Sequence, residues 1–91
     1  MTDCVKNLCF SGWNPPPGNR RLQGDLFYLE IETLEGLRLH VTSSPEGFYV
    51  NESTHNKFNP KAHSKFTCEY TLVGLMNQVF AIENIYWKML K

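Results

Sequence analysis

The sequence contains no apolar run near the roughly 20 residues that a membrane-spanning helix requires, so no membrane insertion is expected. It has no net charge either: nine Lys/Arg balance nine Asp/Glu, and the pI is near 6.8. No overall field therefore draws the chain onto nucleic acid or anionic lipid. The start, Met1-Thr2-Asp3-Cys4-Val5-Lys6, lacks the basic-then-apolar profile of a secretory signal. Three cysteines are an odd number, which argues against a disulfide scaffold and for a reducing, cytoplasmic setting. Cys4 and Cys9 lack the close spacing of a zinc knuckle, and Cys68 near His63 does not supply a second pair. No metal or other cofactor is expected. Gly12, Gly18 and Gly24 are too far apart for a phosphate loop, and no helix is expected after them. No nucleophile–base pair or carboxylate pair stands out, so the chain reads as a binding module and not an enzyme.

What remains is one small domain of 91 residues with 42% hydrophobic and 20% charged residues, the composition of a globular chain. Its balance hides a segmentation. Asp25, Glu30, Glu32, Glu35, Glu46 and Glu52 against Arg38 make the middle acidic, between weakly basic flanks.

Residues 1–24 read as an extended arm, because Pro15-Pro16-Pro17 lack amide donors and favour a polyproline path over 14–19. Phe10 and Trp13 are its candidate anchors. From Leu26 the pattern has period two. Phe27, Leu29 and Ile31 share one face, and Tyr28, Glu30 and Glu32 the other, as in a half-buried strand. Leu34-Glu35-Gly36 suits a hairpin with a positive-φ residue. Leu37, Leu39 and Val41 then alternate with Arg38, His40 and Thr42, which puts His40 on the solvated face. After the turn residues Ser43-Ser44-Pro45-Glu46-Gly47, Phe48 and Val50 mark a third strand.

Residues 51–67 form a basic irregular loop anchored by Phe58 and Phe66. From Thr71, an N-cap candidate, the period becomes helical through Leu72, Leu75, Met76, Val79, Ile82 and Tyr86. Glu83 falls inside this stripe, so the helix is expected either to break near residues 80–83 or to leave the sheet there. The reading is an α+β fold: a three-stranded antiparallel meander packed against a C-terminal amphipathic helix, with an extended Pro-rich arm (1–24) before the domain proper (25–91). Phe80, Trp87 and Met89, in excess of what such a sheet needs, are candidate partner-binding residues. Arg20, Arg21, Lys57, Lys61 and Lys65 are candidate RNA contacts.

Three stretches carry a family resemblance. They are Ser11-Gly12-Trp13-Asn14-Pro15-Pro16-Pro17-Gly18-Asn19-Arg20-Arg21 with Gly24-Asp25-Leu26; Gly47 to Thr54 with Phe58-Asn59-Pro60-Lys61; and Tyr70 to Gln78. Together they closely resemble the N-terminal region of the clustered mitochondria (Clu) proteins. The strand–strand–strand–helix order also looks like the glycogen synthase kinase interaction protein, in pattern more than identity. The Clu resemblance implies a cytoplasmic protein acting in the distribution and biogenesis of mitochondria, linked to mRNA binding and to association with translation initiation factor 3. Its partners would be proteins of the translation or mitochondrial-distribution machinery, with RNA met in the full-length family context. The second likeness implies an alternative, a kinase-regulating adaptor that docks its helix at 71–91 in a partner groove. Gly74 replaces an acidic residue usual in the first helical turn, and the resemblance ends at Gln78. The expectation is therefore a short or alternatively ended member of the family.

Overall fold

The computed structural model describes residues 5–83. Its elements are β1 (Val5–Phe10), α1 (Gly18–Gln23), β2 (Phe27–Thr33), β3 (Arg38–Ser44), β4 (Gly47–Asn51) and α2 (Leu72–Ile82). The strands form a four-stranded sheet in the order β1-β2-β3-β4, antiparallel throughout. The α+β class holds, but the sheet has one strand more than the sequence pattern announced.

The extra strand is β1. Most of its side chains are exposed, so it shows no apolar alternation, yet its backbone pairs along β2 from Val5↔Thr33 to Phe10↔Leu29. A strand held by its ladder at a sheet edge writes little into the hydropathy of its sequence. The proline run, read as non-helical over 14–19, stops short of that range. Pro17 is the N-cap of α1, and its carbonyl accepts from the amides of Arg20 and Arg21, both at 2.9 Å. A residue without an amide proton loses nothing at a helix start, where that donor has no partner anyway. Gly18 and Asn19 are thus helical, and residues 5–24 hold a strand and a helix in place of a wholly extended arm.

The three expected strands pair as an antiparallel meander, with Leu29 opposite Val41 and Ile31 opposite Leu39, then Val41 opposite Val50. The tight turn after β2 closes with Gly36 at φ 93°, a conformation available chiefly to glycine. On one face Ile31, Leu39, Val41 and Val50 pack with Phe66, Leu75, Met76, Val79 and Phe80; Leu29, Leu37, Phe48 and Leu72 lie at the margin. Phe27, expected in this layer, instead meets the ring of Phe10 edge-on at 5.6 Å. Thr71 caps α2 as expected, its Oγ1 accepting from the Gly74 amide at 3.0 Å. The side chain of Gln78 binds both backbone groups of Thr67 and one oxygen of Glu69, which ties the preceding loop to the helix.

The misfit at Glu83 resolves by termination. α2 ends at Ile82, and Glu83 is its C-cap, with its carboxylate paired to Lys65. Phe80, which the width of the apolar stripe marked for a partner, is 0% exposed inside the core. Its helix face is therefore used by the sheet and not offered to another molecule. Trp87, Met89 and the rest of the expected helical tail lie outside the described residues.

Gly47 holds φ at 132°, and a β-carbon there would run into the Glu69 carbonyl. Residues 48 and 69 exchange two backbone hydrogen bonds beside it, Phe48 N to Glu69 O at 2.7 Å and the reverse at 2.9 Å. Gly47→Ala is expected to destabilise the fold by about 2 kcal/mol or more, from positive-φ strain plus loss of this bridge. Urea unfolding followed by tryptophan fluorescence checks it; an unchanged midpoint would contradict the close approach.

Candidate functional site

The second face of the sheet is where the structure departs most from a solvated polar surface. Tyr28, Glu30 and Glu32 of β2 stand beside Arg38, His40 and Thr42 of β3 and Tyr49 and Asn51 of β4. Segments 11–25 and 52–60 fold over this layer. Tyr28 is accordingly only 1% exposed.

The cover begins at Asn14, which follows the end of β1. Its side chain accepts from the Tyr28 amide at 2.8 Å and donates to the Tyr28 carbonyl at 2.9 Å and the Ser11 carbonyl at 2.8 Å. An asparagine amide thus pairs with β2 as another strand would. The Asn14–Pro15 peptide is cis. The Trp13 indole donates to the Thr54 carbonyl at 3.3 Å and lies 5.5 Å from the Phe58 ring, which meets Tyr28 at 5.4 Å. Three aromatic rings therefore join segment 11–25, the 52–60 loop and the sheet.

Beside them runs a charged network. Arg20 Nε donates to Asp25 Oδ2 at 2.9 Å, and Nη2 reaches the Tyr49 hydroxyl at 3.1 Å and the Pro60 carbonyl at 3.3 Å. The Tyr28 hydroxyl donates to the same Asp25 oxygen at 2.7 Å. Asp25 is 3% exposed, and its side chain there is paired with Arg20 and hydrogen-bonded by Tyr28. Burial, together with the bond to Asp25, raises the Tyr28 phenol well above its ordinary range. The hydrogen bond to Asp25 likewise holds the Arg20 guanidinium more firmly protonated. A third strand of the network passes from Thr42 Oγ1, accepting from Asn51 Nδ2 at 3.0 Å, through Asn51 Oδ1 to the Ser53 amide. Ser53 Oγ then accepts from the Asn59 amide at 2.8 Å.

This network shows what became of the five basic candidates. Arg20 is a structural tie between α1, β4 and the loop, with its donors engaged inside the protein. Lys65 pairs with Glu83 and lies 5.9 Å over the Phe66 ring. Arg21, Lys57 and Lys61 are exposed. The five do not share one environment.

His40 is the second departure. Expected in solvent, it is 4% exposed, and neither ring nitrogen has a hydrogen-bond partner. Burial lowers its pKa; Arg38 and His55 act in the same direction, and Glu30 opposes them. The side chain lines a hollow of about 280 Å³ walled by Ser11, Gly12, Trp13, Glu30 and His55. A different hollow, about 310 Å³, is an apolar groove between β1 and α2, bounded by Val5, Leu8, Ile31, Leu72, Val73 and Met76. It has few polar groups to orient a ligand. Among the described residues, no group of three or more His, Cys, Asp or Glu is arranged to hold a metal ion, and no helix is long and apolar enough to cross a membrane. Cys9 and Cys68 are free and exposed.

Asp25→Ala is expected to cost about 3 kcal/mol, because it leaves the guanidinium and a buried hydroxyl without their shared acceptor. Equilibrium unfolding measures it, and a loss below about 0.5 kcal/mol, typical of a surface site, would contradict the network. The depressed pKa of His40 gives stability that is complete above the ordinary histidine value of about 6.5. Below that value the unfolded chain takes up the proton first, so stability falls with pH toward the folded pKa. Unfolding midpoints at several pH values between neutrality and acid should decline in the native chain. The decline should be smaller in His40→Gln, and an equal decline in both would refute the assignment.

No family model matches the chain, and no solved structure matches it. Curated proteins do. The chain is 50% identical over 76 residues to the clustered mitochondria protein homolog of Homo sapiens, covering 84% of this chain and 6% of that protein. It is 49% identical over 76 residues to the homolog of Dictyostelium discoideum, with the same two shares. It is 43% identical over 75 residues to Protein clueless of Drosophila ananassae, which is 82% of this chain and 5% of that protein. The chain therefore spans only about a twentieth of the length of these relatives. Over that matched stretch, the folded unit built here around Arg20, Asp25 and Tyr28 belongs to the clustered mitochondria protein family.

Proposed function

We propose that this chain is a non-enzymatic interaction module that acts in the intracellular distribution and biogenesis of mitochondria. The observation that carries the reading is the 43–50% identity to proteins named for clustered mitochondria, over most of the folded unit. The structure supports it in a second way. Two of the three stretches of the Clu resemblance, distant in sequence, meet in one place: Trp13, Asn14, Arg20 and Asp25 of the first and Tyr49, Asn51, Ser53, Phe58, Asn59 and Pro60 of the second are joined by the contacts above. A motif whose parts build one layer acts as a unit.

In this reading the module works in the cytoplasm by protein contacts with the translation or mitochondrial-distribution machinery, including translation initiation factor 3. RNA is met through the longer family context. Of the five basic candidates, the exposed Arg21, Lys57 and Lys61 are the ones left for direct phosphate contact. The alternative, a kinase adaptor docking through its helix, finds less support. The apolar side chains Leu75, Met76, Val79 and Phe80 of α2 are already buried on the sheet.

The test is replacement. In human cells lacking the clustered mitochondria homolog, the human protein is re-expressed with its matched segment exchanged for this chain's. A normally spread mitochondrial network is expected. Mitochondria that remain misplaced, at protein levels equal to the intact control, would overturn the reading.

A further inference from the structure

The hollow beside His40 has a chemical character that the proposed function does not use. Its walls are formed by Trp13, His40, His55, Glu30, Ser11 and Gly12. Glu30 is the one residue of the set bearing a full negative charge, and none bears a fixed positive one. Arg38 Nη1 takes Glu30 Oε2 at 2.7 Å, which leaves Oε1 for another donor. The indole is fixed as a wall, with its N–H on the Thr54 carbonyl at 3.3 Å and the Phe58 ring 5.5 Å away. His40 contributes a buried ring with two unpartnered nitrogens. Both nitrogens are themselves buried, so the ring forms part of the hollow's floor and adds no charge to it.

We propose that this hollow receives an arginine side chain from a partner polypeptide. A carboxylate and an aromatic face favour a cation, and the carboxylate repels a phosphate. The volume of about 280 Å³ suits one long side chain, since pockets for drug-sized ligands begin near this size. Arginine is favoured over lysine because a planar guanidinium stacks on indole while its fork donates to a carboxylate. The proposal rests on the hollow alone and stands whether or not the chain acts on mitochondria.

The 91-residue chain is titrated with N-acetyl-arginine-N-methylamide in low salt at pH 7.5, and the Trp13 indole and the His40 and His55 ring signals are followed by NMR. Saturable shifts are expected at these signals, with the uncharged citrulline counterpart inert and the lysine counterpart weaker. Glu30→Gln should weaken the arginine at least about fivefold, and Glu30→Asp, which keeps the charge, should lose less. A backbone spectrum superimposable on the native one shows that each variant is folded. Four results would overturn the proposal: no saturable shift with arginine, an equal effect of citrulline, undiminished affinity in folded Glu30→Gln, or inorganic phosphate binding at the same signals more tightly than arginine.

Discussion

The pairing of Arg20 with Asp25 holds together two layers that the hydrophobic effect alone would leave apart. The apolar face of the sheet finds its cover in α2 by burying aliphatic area. The opposite face carries Tyr28, Glu30, Glu32, Arg38, His40, Thr42, Tyr49 and Asn51, and the aliphatic core does not extend to it. It is buried because one carboxylate takes the guanidinium of α1 and the hydroxyl of β2 together, while that guanidinium also reaches β4 and the 52–60 loop. Each bond taken singly is worth little net. Taken together in a site shielded from water, they make separation costly, since a charge left alone there has no compensation. Asn14 and the Trp13–Phe58–Tyr28 rings then complete the layer.

This division explains which parts of the fold were legible. β2, β3, β4 and the start of α2 follow from periodicity because their apolar faces meet a core: Ile31, Leu39, Val41 and Val50 alternate, and Leu75, Met76 and Val79 recur at helical steps. The Gly36 turn and the Thr71 cap are local chemistry and are equally readable. β1 was not, because an edge strand with Leu8 and Phe10 turned to solvent has no pattern to read. α1 was masked by the proline run that in fact leads into it.

The candidate site was harder to read, for one physical reason. Period-two reasoning assigns Tyr28, His40 and Thr42 to solvent, and the assignment of face is right while the inference of exposure is not. Whether a polar face is wet depends on what folds over it. Here that is decided by hydrogen bonds between residues up to about forty positions apart, such as Trp13 to Thr54 and Arg20 to Pro60. The basic candidates illustrate the same limit. Arg20 and Arg21 are adjacent in sequence, yet one is enclosed in the network and the other exposed. The resemblance marked many of the right residues, and only the contacts show that they build one layer.

The central claim is that segment 11–25 is a second cover of the sheet and not simply an extended arm. Nuclear Overhauser measurements on the chain test it most directly. The account expects cross-peaks between the Trp13 and Phe58 rings and between Phe58 and Tyr28, with a slowly exchanging Arg20 Nε proton. Sharp, solvent-like Trp13 signals without those cross-peaks, together with a Tyr28 ring open to water, would contradict it.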